Sequence, residues 1–301
     1  MNVYFEHFGG TLSGTDAAHP PGACSACPLA AAVVCRALDR ASLAGPRIPL
    51  LRRIPRETQL VTKDRLPPFA GVLRQGFLRI ERMTEDGRRH IVGLHVPGDL
   101  VGNWTGTSSH YDIEAATTAE ICSFDPRVVV RLVERDSAVK IYILQELAEM
   151  HQRQLDLLWP RGALTSKGRI IAFLLMAMEI MPSEWSPDGA ALVRIVISRR
   201  DWADISLTTV ETICRSLAEL SRNGLVQQVE PGLYKISNIE ALKREAGIAG
   251  EALWKPLPRS SAAALRRAFS SSGTSPKVRT LKQQIGSPSE KNTSRADRNV
   301  F

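Results

Sequence analysis

The hydrophobic pattern of this chain of 301 residues changes its period near Cys122, from the alternation typical of strands to the spacing of helices. From Leu60 to about Asp125, β-branched and apolar residues alternate with polar ones in short runs, which is typical of strands. Turn sequences separate these runs, among them Glu85-Asp86-Gly87 and Pro97-Gly98-Asp99. Closely spaced antiparallel strands favour a small barrel or jelly roll, so we predict an α+β chain that begins with a barrel.

The part of the chain after Cys122 has the spacing of helices. We predict a short helix over 126–135, a long helix over 137–159 that ends at Pro160-Arg161-Gly162, and a further helix over about 163–181. The long helix carries residues at heptad-like spacing, namely Ile141, Leu144, Leu147, His151, Gln154 and Leu158. Ordinary core helices and dimer seams both show this spacing.

Residues 192–237 have the order of a winged helix-turn-helix. The predicted elements are a strand at Val193–Ile197, a helix at Arg200–Ile205 capped near Ser198 or Arg199, a second helix at Thr208–Asn223 with Gly224 at C′, and a hairpin formed by Leu225–Val229 and Leu233–Ile236. In such a module the second helix reads the major groove of DNA. Glu211 and Arg215 lie one helical turn apart on that helix, as an exposed ion pair or as base-reading groups.

The charge of the chain does not by itself indicate a nucleic-acid partner. The formal net charge is +8, but residues 251–301 hold ten Lys/Arg and three Asp/Glu, so this tail carries +7 of it. No stretch of 18 apolar residues occurs, and the N-terminus lacks the pattern of a secretory signal. We therefore expect a cytoplasmic protein without membrane contact, in which cysteines stay reduced or bind metal.

Three cysteines near the N-terminus, Cys24, Cys27 and Cys35, have the spacing C-x2-C-x7-C. Thiolates this close together suit a soft metal or an iron–sulfur cluster with a fourth ligand from elsewhere. The spacing alone leaves zinc, a thiol switch and an iron–sulfur cluster equally open. It differs from the ferredoxin run, and no nucleophile elbow, P-loop or dinucleotide fingerprint is present, so we expect no enzymatic activity.

From about residue 24 to 245 the chain resembles the Crp–Fnr superfamily of bacterial transcription regulators. The resemblance is carried by Gly76, Gly87 and the motif Pro97-Gly98-Asp99-Leu100-Val101-Gly102, by the long helix and by the winged helix-turn-helix. The cysteines are similar to those of the oxygen-responsive FNR branch of α-proteobacterial type, because Cys122 stands at the end of the barrel. The resemblance implies that Cys24, Cys27, Cys35 and Cys122 hold an oxygen-labile [4Fe–4S] cluster. The alternatives are a regulator of the same fold that senses through zinc, thiol oxidation or a haem-bound gas, and an iron–sulfur electron-transfer protein.

The second helix of the predicted helix-turn-helix carries Val210-Glu211-Thr212-Ile213-Cys214-Arg215, which is similar to the motif Val-Glu-Thr-x-x-Arg of the family. The resemblance implies that Glu211 and Arg215 read bases of a palindromic operator similar to TTGAT-N4-ATCAA in double-stranded DNA. The predicted phosphate contacts are Ser198, Arg200, Thr209 and Thr212. The FNR branch usually has Ser where this chain has Cys214, so we expect one base of the half-site to be read less strictly.

The resemblance also implies a homodimer in which the long helix pairs with its twin. The predicted interface residues are Leu144, Leu147, His151 and Leu158, and the polar His151 and Gln154 predict a weak dimer that needs an intact cluster. Contacts to RNA polymerase are implied as well. Binding of cAMP is not expected, because Gly102 is followed by Asn103-Trp104 and residues 104–118 contain no Arg for the cyclic phosphate.

The predicted architecture is a cyclic-nucleotide-binding-like β-barrel (jelly roll), a long dimerisation helix and a C-terminal winged helix-turn-helix. In numbers, it comprises a flexible leader (1–22), a sensor domain (23–135), the dimerisation helix (136–160), the DNA-binding domain (161–246) and a basic tail without regular structure (247–301).

Overall fold

A computed structural model describes residues 15–18, 27, 29, 35, 50–186 and 189–248. Its strands are β1 (Thr15–Ala18), β2 (Leu50–Ile54), β3 (Gln59–Val61), β4 (Ala70–Gln75), β5 (Leu78–Met83), β6 (Arg89–His95), β7 (Leu100–Gly102), β8 (Asp112–Ala115), β9 (Ala119–Phe124), β10 (Ser183–Trp185), β11 (Ala191–Arg194), β12 (Val226–Glu230) and β13 (Leu233–Ile236). Its helices are α1 (Pro126–Arg135), α2 (Ser137–Ala163), α3 (Ser166–Ile180), α4 (Arg199–Ile205), α5 (Val210–Arg222) and α6 (Ile239–Glu245). The predicted change from strands to helices after Cys122 is confirmed, since β9 ends at Phe124 and α1 begins at Pro126.

The first nine strands form two antiparallel sheets that pack face to face as a sandwich. One sheet has the order β1-β2-β9-β4-β7 and the other the order β3-β8-β5-β6. Side chains alternate between the two faces of β9, because successive residues of a strand point to opposite sides. Ile121 therefore packs inside the sandwich with residues such as Leu73 and Phe69, whereas Cys122 packs on the outer face with Val72.

The motif at 97–102 is the predicted turn between β6 and β7. Gly102 has φ +88°, and a Cβ at this position would lie 2.3 Å from the backbone oxygen of Phe69. Only glycine satisfies both conditions, because every other residue carries a Cβ atom and rarely adopts a positive φ. The turn brings Asp99 under the long helix α2.

Helices α1 and α2 begin at aspartates that cap them. Asp125 accepts a hydrogen bond from the Arg127 N–H, and Asp136 accepts one from the Ala138 N–H. The prediction that α2 ends at Pro160 is wrong, since the helix continues to Ala163. Proline lacks only the N–H that would bond to the fourth residue before it, and in the last turn of α2 the Leu164 N–H still bonds to Pro160 O at 3.0 Å.

The predicted flexible leader, residues 1–22, is partly a strand. Thr15–Ala18 pair antiparallel with β2, with Ala18 opposite Leu50 and Thr15 opposite Arg53. The sequence Thr-Asp-Ala-Ala has little strand propensity, but an edge strand such as β2 offers unpaired backbone groups to any neighbouring segment. The rest of the predicted leader lies outside the described residues, as does most of the predicted tail.

The reading head (residues 164–248) follows the predicted order of a winged helix-turn-helix with small shifts. Its sheet has the order β10-β11-β13-β12. The strand predicted at Val193–Ile197 lies at Ala191–Arg194, and α5 begins at Val210 rather than at Thr208. Helix α6 was not predicted. Helix α3 is buried on nearly every side in the head, and no helix of the described residues is long and apolar enough to cross a membrane.

Candidate nucleic-acid interface and cysteine region

The two helices of the helix-turn-helix are positioned by the hydroxyl groups that cap them. Ser198 Oγ accepts a hydrogen bond from the Asp201 N–H at 2.9 Å, and Thr209 Oγ1 accepts one from the Thr212 N–H at 3.2 Å. Both residues are predicted phosphate contacts. In the structure both side chains cap a helix: Ser198 at the start of α4 and Thr209 at the start of α5.

The turn between α4 and α5 is held from outside by Arg169 of α3. Its guanidinium donates to the carbonyl oxygens of Ser206 at 2.7 Å and Leu207 at 2.9 Å. Leu207 has φ +47°, which is unusual for a residue with a branched side chain. Arg169 therefore stabilises a strained turn, and this turn fixes the angle between α4 and the recognition helix α5.

Helix α5 presents Glu211 and Arg215 on its exposed side. Glu211 has a pKa below its ordinary value because its own backbone N–H and the Thr209 hydroxyl stabilise the carboxylate. Arg215 donates to Thr212 Oγ1 at 3.3 Å, and the ion pairs of the described residues do not include Glu211 with Arg215. Within this part of the chain neither charged group is held in an ion pair, and both point away from the buried side of α5, which packs through Ile213 and Leu220.

Arg199, which was not predicted as a functional residue, connects α4 with the wing and with α5. Its guanidinium lies 5.9 Å from the ring centroid of Trp202 and 5.8 Å from that of Tyr234. It donates to Gln228 Oε1 at 3.2 Å and lies 3.8 Å from Cys214 Sγ. Arg200, a predicted phosphate contact, is exposed. In the sequence, the doublet Arg199-Arg200 indicates only that the helix begins with two basic residues. The fold shows that Arg199 packs against Trp202 and Tyr234, whereas Arg200 is exposed.

The cysteine region precedes the reading head in the sequence. In the fold it lies on the outer face of the first sheet. Cys122 is 7% exposed and belongs to an apolar cluster, the cysteine-side cluster, whose buried members are Leu29, Ala70, Val72, Leu100, Cys122, Phe124, Val129, Val139 and Ile143. Cys27 and Cys35 are half-buried and pack against this same cluster. Three of the four predicted ligands therefore share one apolar environment.

The fourth predicted ligand, Cys24, lies outside the described residues. Within the described residues, no group of three or more His, Cys, Asp or Glu side chains is close enough together to hold a metal ion. The donor chemistry nevertheless suits an iron–sulfur cluster, since Cys27, Cys35 and Cys122 are all thiols and their surroundings are apolar.

Two ionisable residues of α2 pack beside the cysteine region. Burial raises the pKa of Glu146 to about 7, against the hydrogen bond with Tyr142, which lowers it. Burial also raises the pKa of Tyr142, and the charges of Glu146 and Cys35 add to this effect. Tyr142 and Met150 are in contact with the cysteine-side cluster, so the long helix and the thiols share one packing surface.

The barrel turn is joined to α2 by a buried ion pair. Arg153 donates to one carboxylate oxygen of Asp99, while the other accepts from the Val96 N–H at 3.0 Å and lies 3.4 Å from His95 Nδ1. Burial alone would raise the pKa of Asp99, but Arg153 and His95 lower it overall. The glycine motif thus connects the barrel to the long helix α2.

The residues of the predicted dimer face of α2 lie in two environments. Leu144 and Leu158 are exposed, 61% and 49%, and His151 is exposed as well. Leu147 is half-buried against the cysteine-side cluster, and Gln154 lies against Gly93 of β6. Their pairing with a second copy stays a prediction. The exposed apolar stripe consists of Ile141, Leu144, Leu155, Leu158 and Trp159.

The polar groups that follow the barrel turn are used by the chain itself. Asn103 Oδ1 accepts from the Gly106 N–H at 2.8 Å, and Trp104 Nε1 donates to the carbonyl oxygens of Gly71 and Val101, both at 3.0 Å. The absence of cAMP binding stays a prediction.

Two parts of the chain match known domain families. Residues 51–136 match the cyclic nucleotide-binding domain, and residues 168–245 match the Crp-like helix-turn-helix domain. The two matches cover the barrel with α1 and nearly all of the reading head.

Curated relatives extend the likeness over most of the chain. The nitrogen fixation regulation protein FixK of Bradyrhizobium diazoefficiens is 28% identical over 231 residues, which cover 73% of this chain and 93% of FixK. The transcriptional activator protein FnrL of Cereibacter sphaeroides is 26% identical over 236 residues, covering 74% and 92%.

Solved structures show the same fold. FixK2 from Bradyrhizobium japonicum superposes with a TM-score of 0.60 at 20% identity, covering 68% of this chain and 99% of FixK2. A CRP-family transcriptional regulator from Thermus thermophilus superposes with a TM-score of 0.54 at 25% identity, covering 66% and 98%.

Proposed function

This chain belongs to the Crp/Fnr family of DNA-binding transcription regulators and is homologous to FixK and FnrL, and from this premise we propose that it controls genes in response to oxygen. In this proposal Cys24, Cys27, Cys35 and Cys122 hold a [4Fe–4S] cluster when oxygen is low, and the chain then pairs with a second copy and binds its operator. The observation that carries the proposal is the packing of Cys27, Cys35 and Cys122 on one apolar cluster that also includes α2.

The thiols contribute to dimerisation through the packing they share with α2. When bound, a cysteine-ligated iron–sulfur cluster supplies redox chemistry, and this chemistry is lost when oxygen breaks the cluster down. Tyr142, Leu147 and Met150 contact the cysteine-side cluster from one side of α2, while Leu144 and Leu158 are exposed on another. Thiols held in place on the first side fix the position of α2, so that the exposed stripe can pair with the same stripe of a second copy.

Two copies related by a two-fold axis read a palindromic operator. Glu211 is placed to accept from cytosine N4, and Arg215 to donate to guanine O6 and N7. The half-site proposed for these residues is TTGAT, with a relaxed preference at the base near Cys214, because a thiol is a weaker hydrogen-bond donor than a hydroxyl. Arg200, Ser198, Thr209 and Thr212 position the head on phosphates.

The experiment that tests the sensor is anaerobic purification of the full chain, followed by iron and sulfide analysis, absorption and Mössbauer spectroscopy. We expect four iron and four sulfide per chain, as the proposed cluster requires, and loss of both after exposure to air. Binding to a duplex that carries TTGAT-N4-ATCAA is expected before exposure to air and not after it. Zinc without iron would overturn the cluster and leave DNA binding in place.

Size-exclusion chromatography in the same two buffers tests the coupling to dimerisation. The anaerobic protein is expected to elute as a dimer and the aerated protein as a monomer. A dimer that persists without iron would contradict a cluster-dependent interface.

A further inference from the structure

Two arginines of the barrel and two aspartates of the reading head meet in a buried group of charges. Arg79 lies on β5 and Arg89 on β6, whereas Asp201 and Asp204 lie on α4, more than a hundred residues later in the chain. With Glu81 and Glu114 these four residues form what we call the interdomain ion cluster. Arg79 is 3% exposed and Asp201 is 1% exposed, so these charges are almost fully removed from water.

The barrel side holds Arg79 in a defined orientation. Its Nε donates to Glu81 Oε2 at 2.9 Å, one terminal nitrogen donates to Glu114, and the other lies 3.4 Å from Asp201 Oδ1. A guanidinium presents its donors in a rigid planar fork, so three carboxylates around it leave a single orientation.

The head side is connected mainly through Arg89. Its Nη2 donates to Asp201 Oδ1 at 2.8 Å and to Asp204 Oδ2 at 2.6 Å, and its Nε donates to Asp204 Oδ2 at 3.0 Å. Two nitrogens of the Arg89 guanidinium converge on the single oxygen Asp204 Oδ2, and these charge-assisted hydrogen bonds hold the two side chains together. Since Asp201 and Asp204 are on the same helix, Arg89 holds α4 at two points.

Apolar packing surrounds these charges. Ile91 and Leu94 of the barrel belong to one core cluster with Trp202 and Ile205 of α4. Arg161, near the end of α2, donates to the carbonyl oxygens of Ile91 at 2.6 Å and Ile205 at 3.0 Å. Barrel, long helix and reading head therefore meet at one joint.

A purely apolar joint would hold the two domains together at least as strongly, because buried ion pairs gain little net stability over well-packed hydrophobic groups. Buried charges with fixed partners do, however, select one relative orientation. We propose that Arg79 and Arg89 are positioning residues that set the orientation of the reading head on the barrel, and with it the distance between the two recognition helices of a dimer.

The position of α4 controls that of α5, because the turn at 206–209 connects them and Arg169 holds it. Glu211 and Arg215 lie on the exposed side of α5, so the ion cluster leaves the reading face open. Two heads on a palindrome must be about 34 Å apart, one turn of DNA, and heads held at that distance bind without first losing orientational freedom. This positioning role rests on the proposed function, because it requires that the reading head binds DNA.

The test compares Arg89→Gln with the matched control Arg88→Gln in the full chain purified without oxygen. Arg88 is exposed and pairs with the nearby Asp86, at 2.9 Å, on the same turn of the barrel. Affinity is measured for a duplex with the palindrome TTGAT-N4-ATCAA, for a duplex with one half-site, and for palindromes with a spacer one base pair longer or shorter.

We expect Arg89→Gln to weaken binding to the palindrome about tenfold or more and binding to the half-site by under about twofold, because only the palindrome requires two oriented heads. The preference for the four-base spacer should decrease, and Arg88→Gln should match the wild type. Equal loss on palindrome and half-site, or no loss on either, overturns the proposal.

A second variant and a measurement without DNA guard against misfolding and against failure of the proposed function. Asp204→Asn keeps the shape of a partly exposed side chain and should reproduce the effect, and the double variant should be no weaker than Arg89→Gln alone. Amide hydrogen exchange of α4 should be faster in Arg89→Gln than in Arg88→Gln. If the wild type does not bind the palindrome, the operator is wrong, and unchanged exchange would then overturn the positioning role independently.

Discussion

The reading head and the cysteine region obtain their geometry by different means. In the head, Ser198 and Thr209 cap α4 and α5, Arg169 holds the turn between them, and Arg199 connects both helices to the wing. In the cysteine region, Cys27, Cys35 and Cys122 share an apolar cluster, without a group of ligands assembled for a metal among the described residues. The head is positioned by hydrogen bonds of the chain itself, whereas the described thiols lie together on an apolar surface.

In the proposed function, this difference separates the part of the molecule that binds DNA from the part that responds to oxygen. Binding to DNA needs exposed side chains on a rigid scaffold, which capped helices and an apolar core provide. A response to oxygen through a cluster would draw on the energy of metal ligation, which couples to the packing of the ligands. A change in either region should therefore affect oxygen dependence and base preference in different proportions.

The largest expected effect comes from Cys122→Ser, which removes the predicted ligand from the barrel. We expect the anaerobic protein to lose its iron and about 100-fold or more in affinity for the palindrome, because the energy of ligation no longer contributes to order. Iron content and fluorescence anisotropy measure the two effects. Cys214→Ser is the control, since it removes a thiol that lies in the head; equal loss of iron in both variants would contradict the assignment of ligands.

Arg215→Ala tests the other side of the comparison. A bidentate contact to guanine contributes about 1–3 kcal/mol per half-site, so the half-site affinity should decrease by about 10- to 100-fold. The variant should keep its iron and also lose its discrimination against the operator in which that G·C pair is replaced by A·T. Retained discrimination would show that Arg215 contacts phosphate and not a base.

Glu146→Gln tests the packing between α2 and the cysteine region. Glu146 has a pKa of about 7 in the folded protein, above the ordinary 4.5, so the folded state binds more protons and stability decreases as pH rises from 4.5 to 7. Glutamine carries no charge, and after allowance for partial exposure we expect it to increase stability by about 1–2 kcal/mol near pH 8, and to change it little near pH 5. Urea unfolding at both pH values measures this, with the exposed Glu134→Gln as a variant that should show no such difference.

Cys214→Ser is expected to have the smallest effect on affinity, under about threefold, because a hydroxyl and a thiol differ mainly in hydrogen-bond strength. It should sharpen the preference for one base of the half-site. Competition between the palindrome and its single-base variants measures the change. An unaltered ranking of bases would place Cys214 away from the DNA.

Local signals in the sequence were sufficient for the order of elements and for the exposed reading face. The caps Ser198 and Thr209, the glycine at 224 and the wing turn each act within a few residues, so the recognition helix was placed to within two residues. Heptad-like spacing carried less information about α2. It grouped Leu147 and Gln154 with Leu144, but the contact of Leu147 with the cysteine-side cluster and of Gln154 with β6 depends on the surface against which the helix packs.

Contacts between distant parts of the chain were beyond prediction. The pairs of Arg79 and Arg89 with Asp201 join residues separated by more than a hundred positions, and nothing local distinguishes them from exposed charges. The inward orientation of Arg199 and the pairing of Thr15–Ala18 with β2 are of the same kind. Each of these contacts depends on which surfaces folding brings together, and the local sequence does not specify those surfaces.

The pairing of β1 with β2 also anchors the segment of the chain that carries Cys24, Cys27 and Cys35. Ala18 lies opposite Leu50, and Leu51 lies opposite Cys122, so both ends of the segment 19–49 are anchored at most two strands from that cysteine. Cys24 follows Ala18 by six positions, a span of at most about 20 Å, while two strand spacings amount to about 10 Å. For the cluster proposed above, this anchoring brings Cys24 within reach of Cys122 through the pairing of four backbone residues, without any contribution from the ligands themselves.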